Sequence, residues 1–380
     1  MKYDFDELVD RTNTDSFKWE KYKNQDIIPL WVADMDFKAA NPILNAIENV
    51  TKQGVIGYWQ TPEALVEIVL QRLEEKHHWK IQRDWIVWLP GLVPGLTLSC
   101  LSVGEAEDEV ITTVPVYGPF MKAPIAANKK LVKVQMKLDE GRWTFDFDAI
   151  RAAISPRTKM FMLCNPYNPG GTVFTREELQ MLSDICAEHQ IVICADEIHC
   201  DLILDETKNH ISIATLSEVA ANQTITLLAP SKTFNIAGLG CSFAVIPNAE
   251  IRAKFANLKY IYEPMNSAFA YQAALAAYRD CSDWHEQLLG YLRKNYEYLL
   301  EEINNIKGLK MYPLEATYLA WIDTRETGIE NIGTFLENAG VGISEGDFYF
   351  DGKGFIRLNF GTQFSRLQQA VERIKKALNQ

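Results

Sequence analysis

No pair of cysteines is spaced Cys-x-x-Cys, no segment is repeated or compositionally simple, and no apolar run approaches the length of a membrane span. The seven cysteines (Cys100, Cys164, Cys186, Cys194, Cys200, Cys241 and Cys281) are odd in number and mostly sit in apolar runs. That predicts buried, reduced thiols and argues against a disulfide framework or a zinc or other metal site. Positive charge is also scarce. With 38 Lys and Arg against 50 Asp and Glu, the net charge is −12, which argues against nucleic acid or an anionic membrane as a partner. Residues 1–10 are acidic and lack the apolar core of a secretory signal, so a cytoplasmic protein is expected.

What remains is ordinary globular material, 47% hydrophobic and 23% charged, with room in 380 residues for two or three domains. Residues 1–26 are polar with scattered aromatics and read as an arm that packs against something else. Asn41-Pro42 opens a helix, with Asn41 expected as its cap and Gly54 as its end. Gly57-Tyr58-Trp59 reads as an exposed turn, and Thr61-Pro62-Glu63 starts a second helix.

From residue 85 the pattern becomes strand, loop, helix, repeated. Strands are expected at 85–89, 109–113, 158–164, 190–195 and 224–228. The turn 90–95 leads to an apolar helix at 96–103, and Thr175-Arg176-Glu177-Glu178 is a capping box. Continuous apolar strands alternating with helices predict an α/β fold with a mostly parallel sheet covered on both faces. After about residue 260 the character changes. Helices at 267–278, 283–304 and 366–378, with strands at 317–323 and 354–360, predict a smaller α+β domain. The expected division is an N-terminal arm with part of the small domain (1–44), a large domain (45–265) and a C-terminal small domain (266–380).

In an open parallel sheet, ligands sit outside the carboxyl ends of the strands. Each of those ends carries a distinct chemical group. Pro90-Gly91-Leu92-Val93-Pro94-Gly95 precedes a helix, where glycine lets backbone amides approach a phosphate. Tyr117 offers a flat face to an aromatic ring, and Asn168 an amide donor to a phenolate. Asp196 directly follows the apolar run Ile191-Val192-Ile193-Cys194-Ala195, so it is partly buried and calls for a cationic partner. A pyridinium nitrogen would serve: at ~4 Å and an effective dielectric of ~20 the attraction is about 4 kcal/mol. Ser231-Lys232 follows the strand at 224–228, where the amine could anchor an aldehyde and, once released, act as a base. Taken singly, each residue has an ordinary structural explanation: a turn asparagine, a loop lysine, a packed tyrosine. Together they describe a site for pyridoxal 5′-phosphate (PLP).

The order Tyr117, Asn168, Asp196, Ser231-Lys232 and Arg357 resembles the fold-type I PLP enzymes of the class I/II aminotransferase family. Three stretches resemble one branch of it, the cystathionine β-lyases of the MalY/PatB (cystalysin-like) group. They are Pro29-Leu30-Trp31-Val32-Ala33-Asp34-Met35-Asp36-Phe37, Asp196-Glu197-Ile198-His199-Cys200-Asp201, and Ser231-Lys232-Thr233-Phe234-Asn235-Ile236-Ala237-Gly238-Leu239. The resemblance implies that Lys232 carries the cofactor, Asp196 pairs with its ring nitrogen, Asn168 binds its phenolic oxygen and Tyr117 stacks on the ring. Gly91, Leu92, Val93 and Ser231 would hold the phosphate. Arg357 would pair with the substrate carboxylate, and Ala33 would lie against the substrate. Tyr58 resembles the tyrosine that reaches the neighbouring subunit's phosphate, which implies a homodimer with shared sites.

The sequence departs from the wider family at two positions. Gly240 stands where many transaminases place a phosphate-binding arginine, and His199, expected among the cofactor contacts, stands where they often have tyrosine. Both agree with the lyase branch. Within that branch, Pro169-Gly170-Gly171-Thr172 replaces the commoner Pro-Thr-Gly-Arg. The expected activity is carbon–sulfur β-elimination from an amino acid such as L-cystathionine. An aminotransferase is the alternative enzyme and a PLP-holding regulatory protein the alternative of another class.

Overall fold

The computed structural model describes residues 2–379. Its large sheet has seven strands: β1 (Ile86–Leu89), β2 (Glu109–Val114), β3 (Lys130–Gln135), β4 (Thr158–Cys164), β5 (Val192–Asp196), β6 (Thr224–Leu228) and β7 (Ser242–Val245). Their order is β1-β7-β6-β5-β4-β2-β3, and only β7 runs against its neighbours. Every residue of β6 is buried, as a strand covered on both faces by helices requires.

Two helix starts differ from expectation. The helix after β1 begins at Leu92 rather than at residue 96 and runs to Ser102. Pro94 and Gly95 fall in its first turn, where a missing N–H costs nothing. A Cβ on Gly95 would stand 3.0 Å from Leu89 Cδ1 and 3.3 Å from Leu227 Cδ2, so the glycine sets how closely this helix seats on the sheet. Asn41 lies inside the helix Asn41–Gln53, and Ala40 occupies the cap position. The capping box at Thr175 and Glu178 is formed in full, and Gly54 ends the first long helix in a left-handed turn.

A four-stranded sheet follows in the chain, ordered Lys310–Met311, Leu319–Asp323, Phe355–Asn359, Ser344–Glu345. A second hydrophobic cluster gathers its inner face with the long helix Ser282–Asn304, the closing helix Phe364–Leu378 and residues from the start of the chain. The N-terminal arm therefore packs on its own chain. Phe5 meets Trp284 and Tyr291, and Ile28–Pro29 pairs in parallel with Val341–Gly342. Lys18 is fully buried, donating to Asp36 Oδ2 at 2.8 Å and to the Asp34 carbonyl at 2.9 Å. All seven cysteines are buried and free. No helix among the described residues is long and apolar enough to cross a membrane.

Candidate active site

The carboxyl ends of β1, β2, β4, β5 and β6 converge with the inner edge of the small sheet around a cavity of about 270 Å³. Gly91, Leu92, Val93, Tyr117, Asn168, Asp196, His199, Ser231, Lys232, Arg357 and Ala33 all line it. Tyr58 does not. It is 94% exposed and stands away from the cavity of its own chain.

Asp196 is the last residue of β5 rather than the first beyond it, paired in register with Cys164 and Leu227. Its Oδ1 accepts from the Ile198 amide at 3.1 Å. Burial, with the Glu197 charge beside it, pushes the carboxyl up to about 7 against the pull of that amide and of Lys232. A buried carboxylate at the floor of a cavity, with no ion-pair partner among the described residues, fits a ligand that brings its own positive charge.

Lys232 donates from Nζ to the Ala33 carbonyl at 2.6 Å. Burial and the nearby Arg357 lower it to about 8, while Asp34 and Asp196 oppose the shift. Near neutral pH the amine is still mostly protonated, but its neutral share is far larger than that of an ordinary lysine, which favours its use as a nucleophile or base.

Arg357 lies on the interior strand Phe355–Asn359, flanked in register by Trp321 and Ser344, so an edge-strand surface position is ruled out. It is 5% exposed. Nη1 donates to Asn168 Oδ1 and Nη2 to the Trp31 carbonyl, both at 3.1 Å, and the guanidinium lies over the Phe350 ring. Nε has no partner, and burial lowers the group to about 10. A buried guanidinium without a carboxylate is a receptor for one.

Because Asn168 Oδ1 accepts from Arg357, its amide nitrogen is left to donate into the cavity. Gly91 offers no side-chain cap to the helix Leu92–Ser102, so the first amides of that helix are open to an anion beside Ser231. The donor set fits PLP: a carboxylate for the ring nitrogen, an amide for the phenolic oxygen, an amine for the aldehyde and a helix terminus for the phosphate. His199 is fully enclosed and held near 3 by burial and by the charges of Lys232 and Arg357, so it is neutral, with its ring 6.3 Å from that of Tyr318.

The residues that hold this wall together were not singled out from the sequence. Asn359 Nδ2 donates to the carbonyls of Val32 (2.7 Å) and Asp34 (3.0 Å), and Ser344 Oγ to that of Trp31 (2.6 Å). Asn235 brackets the next turn through Met35 and Phe37, and the Tyr318 hydroxyl donates to the Ala33 carbonyl at 3.2 Å. Behind the site, His77, Cys200 and Asp201 bring ligand-type atoms within 4.8 Å of one another, but Arg72 takes the Asp201 carboxylate at 2.5 Å. Asn235 was the findable one, since it stands three residues after Lys232.

A parallel sheet with its site at the strand ends, a lysine after β6 and an aspartate closing β5 are the fold and frame of the fold-type I PLP enzymes. Residues 25–374 match the model of the aminotransferase class I and II family, and the chain belongs to it. It is 34% identical to cystathionine beta-lyase PatB of Bacillus subtilis, covering 99% of this chain and 100% of that one. Among solved structures, OvoB superposes with a TM-score of 0.96 at 42% identity, covering 99% of each chain. Cystalysin from Treponema denticola, which contains a PLP cofactor, superposes with a TM-score of 0.95 at 31% identity, covering 100% of this chain and 99% of that one.

Proposed function

We propose that the protein is a PLP-dependent carbon–sulfur β-lyase that cleaves L-cystathionine or a related sulfur amino acid to a thiol, pyruvate and ammonia. The observation that carries this reading is two buried ionisable groups, each without a counter-ion, facing one small cavity. Asp196 lacks a cation, and Arg357 lacks an anion. PLP supplies the first and an amino-acid carboxylate the second.

When bound, PLP supplies an aldehyde to take up the substrate amine and a protonated ring that withdraws electrons from Cα. Lys232 would carry it, Tyr117 would lie against the ring, and Asn168 would donate to the phenolic oxygen. The amides of Leu92 and Val93, freed by the glycine before them, would hold the phosphate with the Ser231 hydroxyl. Asp196 keeps the proton on the ring nitrogen. Arg357 holds the substrate carboxylate and so fixes Cα relative to Lys232. With its basicity lowered to about 8, Lys232 is suited to take the Cα proton. The thiol leaves from Cβ, and water completes the release of pyruvate and ammonia.

Gly240 and His199 favour elimination over transamination. Neither supplies the arginine or tyrosine side chain expected of transaminases at these positions. The protein works as a homodimer in the cytoplasm. Val55, Ile56, Tyr58, Tyr260, Ile261 and Tyr262 are all well exposed, an apolar set that a second copy would cover, with Tyr58 reaching the partner's phosphate. Seven buried free thiols suit a reducing compartment.

The test supplies cystathionine alone and then with 2-oxoglutarate, for the wild type and for Lys232→Ala. Expected are equal amounts of thiol, pyruvate and ammonia without the oxo acid, and none from the variant. Turnover that begins only with 2-oxoglutarate, with glutamate accumulating and no thiol, would replace this reading by the aminotransferase.

A further inference from the structure

A second cavity, of about 530 Å³, adjoins the first. Val32, Ala33, Lys232 and Ala237 line both, so the two share a wall at the reacting lysine. The outer cavity is where the part of a substrate beyond Cβ would extend. Its distinctive group is Asp34.

The backbone of Asp34 is pinned from three directions. Its carbonyl accepts from Lys18 Nζ (2.9 Å) and Asn359 Nδ2 (3.0 Å), and its amide donates to the Val32 carbonyl (2.8 Å). One carboxylate oxygen, Oδ2, accepts from Arg11 Nη2 at 2.8 Å. Among the described residues the other oxygen accepts no hydrogen bond, and the side chain is one-third exposed.

The cations nearby are already engaged. Arg11 also donates to Ser16 Oγ, to the Met35 carbonyl and to Asp36 Oδ1, which uses all four Nη hydrogens. Lys18 is committed to Asp36 and Lys38 to Glu7. Asp34 lines the outer cavity with its backbone held in place and one carboxylate oxygen left without a donor among the described residues.

We propose that Asp34 is a specificity-determining residue: its free carboxylate oxygen receives a positively charged group on the leaving half of the substrate, so the departing thiol is an amino thiol rather than a plain alkyl thiol. This rests on the lyase reading and adds the class of leaving group. A thiol ending in an amino-acid head would place its ammonium on Asp34. A neutral chain in that place would leave the oxygen to water and gain nothing from the pinned backbone.

Two substrates that differ only in the distal ammonium separate the possibilities: L-cystathionine and S-(3-carboxypropyl)-L-cysteine. Thiol release is followed for both, with the wild type, Asp34→Asn and Asp34→Glu. Asparagine keeps an oxygen for Arg11 but loses the charge. The wild type should favour cystathionine at least tenfold in kcat/KM, Asp34→Asn should bring that ratio close to one, and Asp34→Glu should restore part of it. A wild-type ratio near one, or an equal fall for both substrates in Asp34→Asn, would overturn the assignment, the latter by revealing a purely structural carboxylate. No thiol from either substrate with the wild type would sink the lyase reading, and this proposal with it.

Discussion

Arg357, on the small sheet, donates from Nη1 to Oδ1 of Asn168, on the loop after β4, at 3.1 Å. One hydrogen bond thereby joins the residue proposed to hold the substrate to the residue proposed to hold the cofactor's phenolic oxygen. It also fixes the rotamer of the asparagine amide, since only the nitrogen remains to donate.

Replacing Arg357 with alanine should therefore act mainly on the amino acid. We expect substrate affinity to fall by about 2–5 kcal/mol, the range for losing one partner of a buried charge pair. PLP should stay bound, with a smaller change in its absorbance as Asn168 is released. Titration with a slow or unreactive amino acid, beside a measurement of cofactor content, checks this. Equal losses of PLP and amino-acid affinity would mean that the arginine is structural.

Asp196 makes a prediction about pH. Its carboxyl is pushed up to about 7 in the chain without PLP, from an ordinary value of 3.8. Between those two values the native state holds a proton that the unfolded chain has released, so this group's contribution to stability falls as pH rises from about 4 to 7. The full effect is on the order of 4 kcal/mol. Compared with Asp196→Asn, the PLP-free wild type should lose thermal stability across that interval, and added PLP should remove the difference. Parallel melting profiles for the two PLP-free proteins would show that Asp196 is not held protonated.

Gly240 makes a third. Its φ is +65°, and a Cβ there would stand 2.8 Å from the Pro90 carbonyl oxygen. Asn266 Nδ2 donates to the carbonyls of both Leu89 (2.7 Å) and Gly240 (3.0 Å), which ties this turn to the end of β1. Gly240→Ala should cost about 1–3 kcal/mol of stability through strain, and should displace Pro90-Gly91. The measurable signs are a lower melting temperature and weaker PLP retention together. Unchanged values for both would mean that the turn relaxes freely.

The strand ends were legible in the sequence because each is announced locally. An apolar run stops, and a polar or glycine-bearing turn begins, as at Ser231-Lys232; β5 runs one residue further than expected, to Asp196. Thr158–Cys164 and Thr224–Leu228 have the expected bounds for that reason. The start of the helix at Leu92 was hidden because Pro94 and Gly95 read as a turn, although both suit a first turn pressed against a sheet. Burial of Arg357 was not legible either. Alternation along Phe355–Asn359 puts it opposite Ile356 and Leu358, but the cover on that face comes in part from Trp31 and Asn168, both distant in sequence, besides the nearer Phe350 and Ser344. Residues 1–26 look polar for the same reason: Lys18 is compensated inside the fold by Asp36, and no local pattern records their pairing.

The wall formed by residues 31–34 has a consequence for how the protein is made. The carbonyls of Trp31, Val32 and Asp34 are held by Ser344, Arg357 and Asn359, which are synthesised long after them and after the whole of the large sheet. A nascent chain can form β1 to β7 and still lack one side of the pocket until these three residues have been added. Cofactor capture is thereby tied to the small sheet, and a chain cut short before residue 344 would have the lysine without the enclosure around it.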